Sequence, residues 1–218
     1  MTAKFIFWDC DSTLVENAKL HWEKHLAITE KHGLSLPSEY HDLFYHNNGQ
    51  QNWAALQKDF GFNVPMDQYL KEIDDWYHAR VIEIPLRPGV DYALNFFKEN
   101  GARQCVVTNA RGKSVRPMIE NKGLMPYFDF ILSKEDYPER KPHPAPYLIA
   151  HARMEELTGQ KIDKQDCIVI EDDPYGVTSA AAAGLPVIHR RLNDATPPAP
   201  EAIASVYTKE DFLKVLLG

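Results

Sequence analysis

The stretch Phe5-Ile6-Phe7-Trp8-Asp9-Cys10-Asp11-Ser12-Thr13-Leu14 decides the fold. Its first four residues form an unbroken apolar run. A run this short and this apolar reads as a strand covered on both faces, as in a parallel sheet. Asp9 then stands where the strand ends. In open α/β sheets ligands bind outside the carboxyl ends of the strands, in the crevice where strand order reverses. Two carboxylates two residues apart at such an end suit acid–base or nucleophilic chemistry. They equally suit capping of the turn that follows, so the rest of the chain must decide.

Further strand candidates are Gln104–Thr108, Phe128–Leu132, Asp166–Glu171, Pro186–His189 and Ser205–Thr208, besides Lys4–Asp9 itself. Helix-length segments separate most of them. Val90, Ala93, Leu94 and Phe97 follow i, i+3, i+4, i+7 spacing, with Gly101 as the stop. Tyr147, Ala150, Met154 and Leu157 mark a second helix before Gly159. Strand–helix alternation implies right-handed crossovers and a parallel sheet between two helical layers.

Residues 15–85 break the alternation and hold no convincing strand. They read as helices over Asn17–Lys31, Glu39–His46, Gln50–Phe60 and Asp67–Val81, punctuated by Gly33, Pro37, Gly49, Gly61 and Pro65. Three of the four tryptophans, Trp22, Trp53 and Trp76, fall here, as expected of a small domain that needs large side chains to fill its core. The expectation is a Rossmann-like α/β core of residues 1–14 and 86–218, with an inserted helical cap of residues 15–85. The connection is two-stranded, near Leu14–Glu16 and Glu83–Arg87.

Four segments resemble, in order, the motifs of the haloacid dehalogenase superfamily of phosphotransferases. Asp9-Cys10-Asp11-Ser12-Thr13 is similar to the first, Asp-x-Asp-x-Thr. Thr108-Asn109, after Cys105-Val106-Val107, resembles the second. Arg140-Lys141-Pro142-His143-Pro144 resembles the third, a lysine before prolines, and Glu171-Asp172-Asp173, after Ile168-Val169-Ile170, the acidic fourth. Ser12 replaces the usual glycine of the first motif, and Asp173 stands where many relatives carry a small residue. The placement of the helical insert resembles the phosphoglycolate phosphatase and β-phosphoglucomutase branch.

The resemblance implies a phosphatase acting on a small phosphorylated metabolite. Asp9 would be the nucleophile and form an aspartyl-phosphate; Asp11 would be general acid and then general base. Lys141 would serve the phosphoryl group as a point charge. Thr108 and the backbone of Asn109 would bind phosphate. Mg²⁺ would be held by Asp9, the backbone carbonyl of Asp11, and Asp172, with Glu171 a further ligand directly or through water. His21 stands where related mutases carry a histidine, so it is a candidate substrate contact. Those mutases also place an arginine shortly after the cap glycine, where this chain has Asn52. A dehalogenase would need neither Asp11 nor the acidic cluster. A catalytically silent binding protein would not need the full set.

Several residues read more simply. Asp173 before Pro174 reads as a helix N-cap. His21 and His25 have zinc-compatible i, i+4 spacing, but His-Trp-Glu-Lys-His is not a metalloprotease motif. Cys10, Cys105 and Cys167 are odd in number and read as reduced thiols of a cytoplasmic protein. A Cys10 thiolate is disfavoured by the flanking carboxylates. The net charge of −7 argues against a nucleic-acid partner. No stretch approaches the roughly 20 apolar residues of a membrane span. Met1-Thr2-Ala3-Lys4 leads directly into the first strand, so no signal peptide is expected. Nothing in the chain implies a protein partner.

Overall fold

A computed structural model describes residues 3–81 and 83–217. The chain divides into two compact units, Met1–Glu16 with Pro85–Gly218, and Asn17–Ile84.

The first unit is built on a parallel sheet. Its strands are β1 (Phe5–Trp8), β2 (Arg103–Val107), β3 (Phe130–Leu132), β4 (Cys167–Glu171), β5 (Val187–Arg190) and β6 (Ala204–Val206). Their spatial order is β3-β2-β1-β4-β5-β6. The order reverses beside β1, because β2 lies on one side of it and β4 on the other. In register, Trp8 pairs with Val106 and with Ile170. One residue further along, Asp9, Val107 and Glu171 therefore stand level at the carboxyl ends of the three central strands. That is the crevice in which open α/β sheets bind ligands.

β1 is covered on both faces. Phe5 and Phe7 join Cys105, Val107, Cys167, Val169 and Val187 in one core cluster, which also takes Tyr147, Ala150 and Met154 from α7 (Ala145–Thr158) and Val177 and Ala180 from α8 (Pro174–Ala182). Trp8 faces the other way, edge-on to Phe97 of α5 (Val90–Glu99) and Phe212 of α9 (Lys209–Leu217). Its indole N–H donates to Gln104 Oε1 at 2.9 Å, so the ring's polar edge is satisfied. A remaining helix, α6 (Gly112–Asn121), joins β2 to β3.

The spacing rules locate most of these elements. Val90, Ala93, Leu94 and Phe97 are all buried. Leu157 is not: it is 51% exposed, although the sequence pattern grouped it with Tyr147, Ala150 and Met154. At about 100° per residue, Met154 returns to within roughly 20° of Tyr147, whereas Leu157 has drifted some 80° off that face. The last strand starts at Ala204 rather than Ser205 and ends two residues early.

The second unit consists of α1 (Ala18–Lys31), α2 (His41–His46), α3 (Gly49–Phe60) and α4 (Met66–His78). Asn48 caps α3 in a reciprocal capping box with Gln51. Gly49 permits close approach of α4: a Cβ there would lie 2.7 Å from Leu70 Cδ2. Ile28, Phe44, Leu56, Phe62, Tyr69 and Ile73 form the core, and Trp22, Trp53 and Trp76 pack against it, partly buried.

The two passages of chain between the units run side by side. Val15 bridges Leu86 in antiparallel fashion, Glu16 N–H donates to Pro85 O at 2.9 Å, and Arg87 N–H donates to Leu14 O at 3.0 Å. Among the described residues no helix is long and apolar enough to cross a membrane.

Candidate active site

The site grows from the strand ends. Asp9 follows β1, and its N–H continues the ladder by donating to Ile170 O at 3.0 Å. The residue is 7% exposed. Lys141, 6% exposed, sends its ammonium into the same space from the loop before α7. Lys141 Nζ donates to Asp9 Oδ1 at 2.8 Å, to Glu171 Oε1 at 2.5 Å and to Val107 O at 2.7 Å. An ammonium has three donors, and all three are engaged. This lysine cannot swing freely.

Asp9, Glu171 and Asp172 each offer a carboxylate oxygen, and these oxygens lie within 4.8 Å of one another. The electrostatics follow from that crowding. Burial pushes the Asp9 carboxyl well above the usual carboxylate range; Glu171 and Asp172 push it further, and Lys141 opposes them. Burial and Glu171 push Asp172 up as well, against the Thr13 hydroxyl that donates to its Oδ1 at 2.9 Å. Glu171 is raised by burial, with Lys141 and Tyr147 opposing. For Lys141, burial works against the charge, but Asp9 and Glu171 outweigh it and hold the ammonium firmly protonated. Three buried carboxylates facing one ammonium leave a deficit of positive charge. Hard oxygen donors in small number fit Mg²⁺.

Other residues fix this set. Tyr147, fully buried at the start of α7, donates its hydroxyl to Glu171 Oε1 at 2.5 Å. Gly176 in the first turn of α8 makes room for the same carboxylate: a Cβ there would lie 2.1 Å from Glu171 Cδ. His189 N–H at Nε2 donates to Asp172 O at 2.9 Å, while its Nδ1 accepts from Ala199 N–H at 3.0 Å. Those two bonds select one neutral tautomer. Burial also holds His189 below its ordinary value. Asp173 accepts from Tyr175 N–H at 2.9 Å and caps α8 ahead of Pro174.

Thr108 follows β2, 1% exposed, and its Oγ1 accepts from Ala110 N–H at 3.1 Å. The Asn109 side chain braces the lysine loop. Its Oδ1 accepts from Lys141 N–H at 3.1 Å and its Nδ2 donates to Lys141 O at 3.3 Å. Tyr137 donates to Thr108 O and to Asn109 Oδ1. Asp11 lies in the turn after β1 and adds its negative charge to the surroundings of Asp9. Cys10 is fully buried, and burial, Asp11 and Asp9 push its thiol well above its ordinary value. It remains a thiol. The three cysteines are free and buried.

His21 belongs to the helical unit. Its ring stacks on Tyr77 at 5.1 Å between centroids, with Asn17 Nδ2 3.2 Å from Nε2 and Lys24 Nζ 3.3 Å from Nδ1. His25 is buried in that unit's core, with Nδ1 2.6 Å from the Tyr69 hydroxyl. Asn52 is 1% exposed; its Nδ2 donates to Phe44 O at 3.1 Å.

The core unit thus brings together Asp9, Lys141, Glu171 and Asp172 in direct contact or close approach, with Thr108 and Asn109 on the adjoining strand end. Sequence reasoning missed Tyr147, His189 and Gly176. The available signals were weak: a tyrosine six residues after the lysine, and a glycine in the first turn after the acidic cluster.

Comparison with known proteins agrees. Residues 6–189 match the model of the haloacid dehalogenase-like hydrolases. A phosphoglycolate phosphatase of Yersinia pseudotuberculosis is 25% identical over 193 residues, covering 84% of this chain and 78% of its own. A phosphorylated carbohydrates phosphatase of Thermotoga maritima is 22% identical over 216 residues, covering 97% of each. Among solved structures, CbbY of Rhodobacter sphaeroides in complex with phosphate superposes with a TM-score of 0.80 at 21% identity, covering 96% of each chain. That last likeness speaks for the fold. With the matching family model spanning most of the chain, the chain belongs to the haloacid dehalogenase-like hydrolase family.

Proposed function

We propose that this protein is a Mg²⁺-dependent phosphatase that hydrolyses a small phosphorylated metabolite through an aspartyl-phosphate on Asp9. The observation that carries the reading is the buried Lys141 ammonium, donating at once to Asp9 Oδ1 and Glu171 Oε1 beside Asp172. A lysine so held presents a fixed positive charge to a phosphoryl group arriving at Asp9.

Asp9 attacks phosphorus, and the bond from phosphorus to the ester oxygen breaks. Asp11 gives its proton to the leaving alkoxide. Water then surrenders a proton to Asp11 and attacks the same phosphorus, which frees Asp9 and inorganic phosphate. Thr108 and the backbone of Asn109 bind phosphoryl oxygens. Asp9, Asp172, the Asp11 carbonyl and Glu171 would hold the cation. A divalent ion held there would neutralise repulsion between carboxylate and phosphate dianion.

The test is a panel of small phosphate esters with phosphate release as the readout, run with Mg²⁺ and with excess chelator. Release from at least one ester that stops on chelation is expected. No release from any ester, or full activity in chelator, overturns the reading.

A further inference from the structure

Two arginines lie buried behind the turn that carries Asp11. Arg87 is 6% exposed and Arg190 1%. Arg87 Nη1 donates to Ser12 O at 2.7 Å and to Arg190 O at 3.1 Å, and its Nη2 donates to Arg191 O at 2.9 Å. Arg190 Nη1 donates to Thr13 O at 3.1 Å and Nη2 to Pro88 O at 2.5 Å. The Arg190 guanidinium also lies over the Phe212 ring, 4.1 Å from its centroid. Its Nε is buried without a partner among the described residues.

Burying a guanidinium is costly, and an apolar side chain would fill the same space without that cost. The charges therefore call for a reason, and the carbonyls they grip supply it. Among the described residues, Ser12 is the non-glycine residue in the left-handed region, at φ 57°. Such a conformation persists only where its surroundings over-determine it. The turn's amides converge inward: Thr13, Leu14 and Val15 N–H all reach Cys10 O, at 3.3, 2.9 and 3.3 Å. The carbonyls of Ser12 and Thr13 go to the two guanidiniums. The Thr13 hydroxyl goes to Asp172. The turn is thus fixed from three directions, two of them cationic.

We propose that Arg87 and Arg190 are positioning residues, a guanidinium clamp that grips the Ser12 and Thr13 carbonyls and so fixes the turn that presents Asp11. This rests on the phosphatase reading above, in which Asp11 is both acid–base and carbonyl donor. The clamp has an electrostatic side. Arg87 counters the upward push on Asp172, and burial together with the Arg87 charge pulls Arg190 down to about 9. The pair faces a carboxylate-rich site and offsets part of its negative charge. Its two members come from the segment before α5 and from the end of β5, so the clamp also ties the site to two elements distant in sequence.

The test uses the full chain and four variants, Arg87→Met, Arg190→Met, Arg87→Lys and Arg190→Lys. Amide hydrogen exchange at Thr13, Leu14 and Val15 is read beside that of Val169 in the sheet, and kcat and KM are measured on an aryl phosphate with Mg²⁺. With the clamp gone, the turn amides exchange faster by about tenfold or more while Val169 holds. The kcat falls by about tenfold to a hundredfold with little change in KM, because a misplaced acid slows chemistry more than binding. Lysine does not restore either readout, since a point-like ammonium on a differently shaped stem does not reproduce the planar fork by which Arg87 joins three carbonyls and Arg190 two. Should a methionine variant fail to fold, the lysine variants, which keep the charge, carry the same expectation. Folded variants with wild-type exchange at the turn overturn the clamp. A loosened turn with unchanged kcat overturns its role in positioning Asp11. A wild-type protein that releases no phosphate from any ester counts against the phosphatase reading instead, and exchange at the turn still decides whether the arginines clamp it.

Discussion

Tyr147 donates its hydroxyl to Oε1 of Glu171 at 2.5 Å, the same oxygen that receives Lys141 Nζ. Two donors on one oxygen hold the carboxylate in a single orientation and leave Oε2 for a cation or its water. The lysine is thereby fixed as well, because its third bond, to Asp9, is aimed by the other two.

Removing that hydroxyl tests the arrangement with little change in shape. A hydrogen bond to a buried charge is worth about 1.5–3 kcal/mol. Tyr147→Phe should lower the melting temperature by a few degrees, raise the Mg²⁺ needed for half-maximal rate, and reduce kcat by about tenfold. The measurement is rate against Mg²⁺ concentration for both proteins. Superimposable curves would show that the tyrosine merely packs.

Asp9→Asn should separate stability from turnover. Burial and the neighbouring Glu171 and Asp172 make the Asp9 charge unfavourable without a cation. The amide removes that charge yet keeps an Oδ1 that accepts from Lys141. The metal-free variant should melt no lower than wild type while turnover falls by at least about a thousandfold, as loss of a covalent nucleophile does. Mg²⁺ at about a hundred times its dissociation constant should stabilise wild type by about 2.7 kcal/mol. Asp172→Asn should lose most of that gain. An equal gain in Asp172→Asn would remove Asp172 from the cation's ligands.

Acid should loosen the helical unit in two windows. His25 is buried beside Tyr69, and burial first, then Lys24, holds it well below its ordinary 6.5. An unfolded chain binds that proton more readily, so stability is complete above about pH 6.5 and declines below it. Glu72 is pulled down to about 2, first by Gln68 and, against burial, by His32 and Lys31. Its contribution is present above the unfolded value of 4.5 and is lost as pH falls toward 2. Tryptophan emission follows this unit, since Trp22, Trp53 and Trp76 lie in it. In denaturant titrations, His25→Gln should flatten the window just below pH 6.5, and Glu72→Gln the one below 4.5. If His25→Gln leaves the upper window unchanged, His25 is not its source.

The sequence carried the strand ends plainly. Phe5–Trp8 is apolar at every position because both faces are covered, and Asp9 then stands at the carboxyl end of that central strand. Lys141 was legible because it stands at the motif position before proline, where a lysine can serve phosphate as a point charge. Tyr147 was not. At helical spacing with Ala150 and Met154 it reads as core, and it is core, except that its hydroxyl reaches a carboxylate 24 residues away. Arg190 was hidden for the opposite reason. An arginine after an apolar strand reads as solvated, and only tertiary structure shows the Thr13 and Pro88 carbonyls and the Phe212 ring that enclose it. Leu157 failed because four apolar residues at plausible intervals need not share one face.

Hydrolysis rather than internal phosphoryl transfer is the last expectation, and Asn52 carries it. A phosphomutase holds a substrate with two phosphates, and the second dianion needs a fixed cation, usually a bidentate arginine. Asn52 occupies the place after the cap glycine where such an arginine would stand. It carries no charge, is 1% exposed, and donates to Phe44 O within the core of the helical unit. Asn52→Arg should therefore not create a mutase. It would bury an unpaired charge, at a cost of several kcal/mol, and unfold the helical unit first. The direct measurement supplies hexose monophosphates with a trace of bisphosphate and follows both products. Other phosphate esters are assayed alongside for phosphate release. Steady phosphate release from a small ester, with no isomerised sugar phosphate, is expected, since water activated by Asp11 then resolves the intermediate. Isomerisation that outpaces release would mean that another cation of this chain holds the second phosphate, and the mutase reading would replace the hydrolytic one.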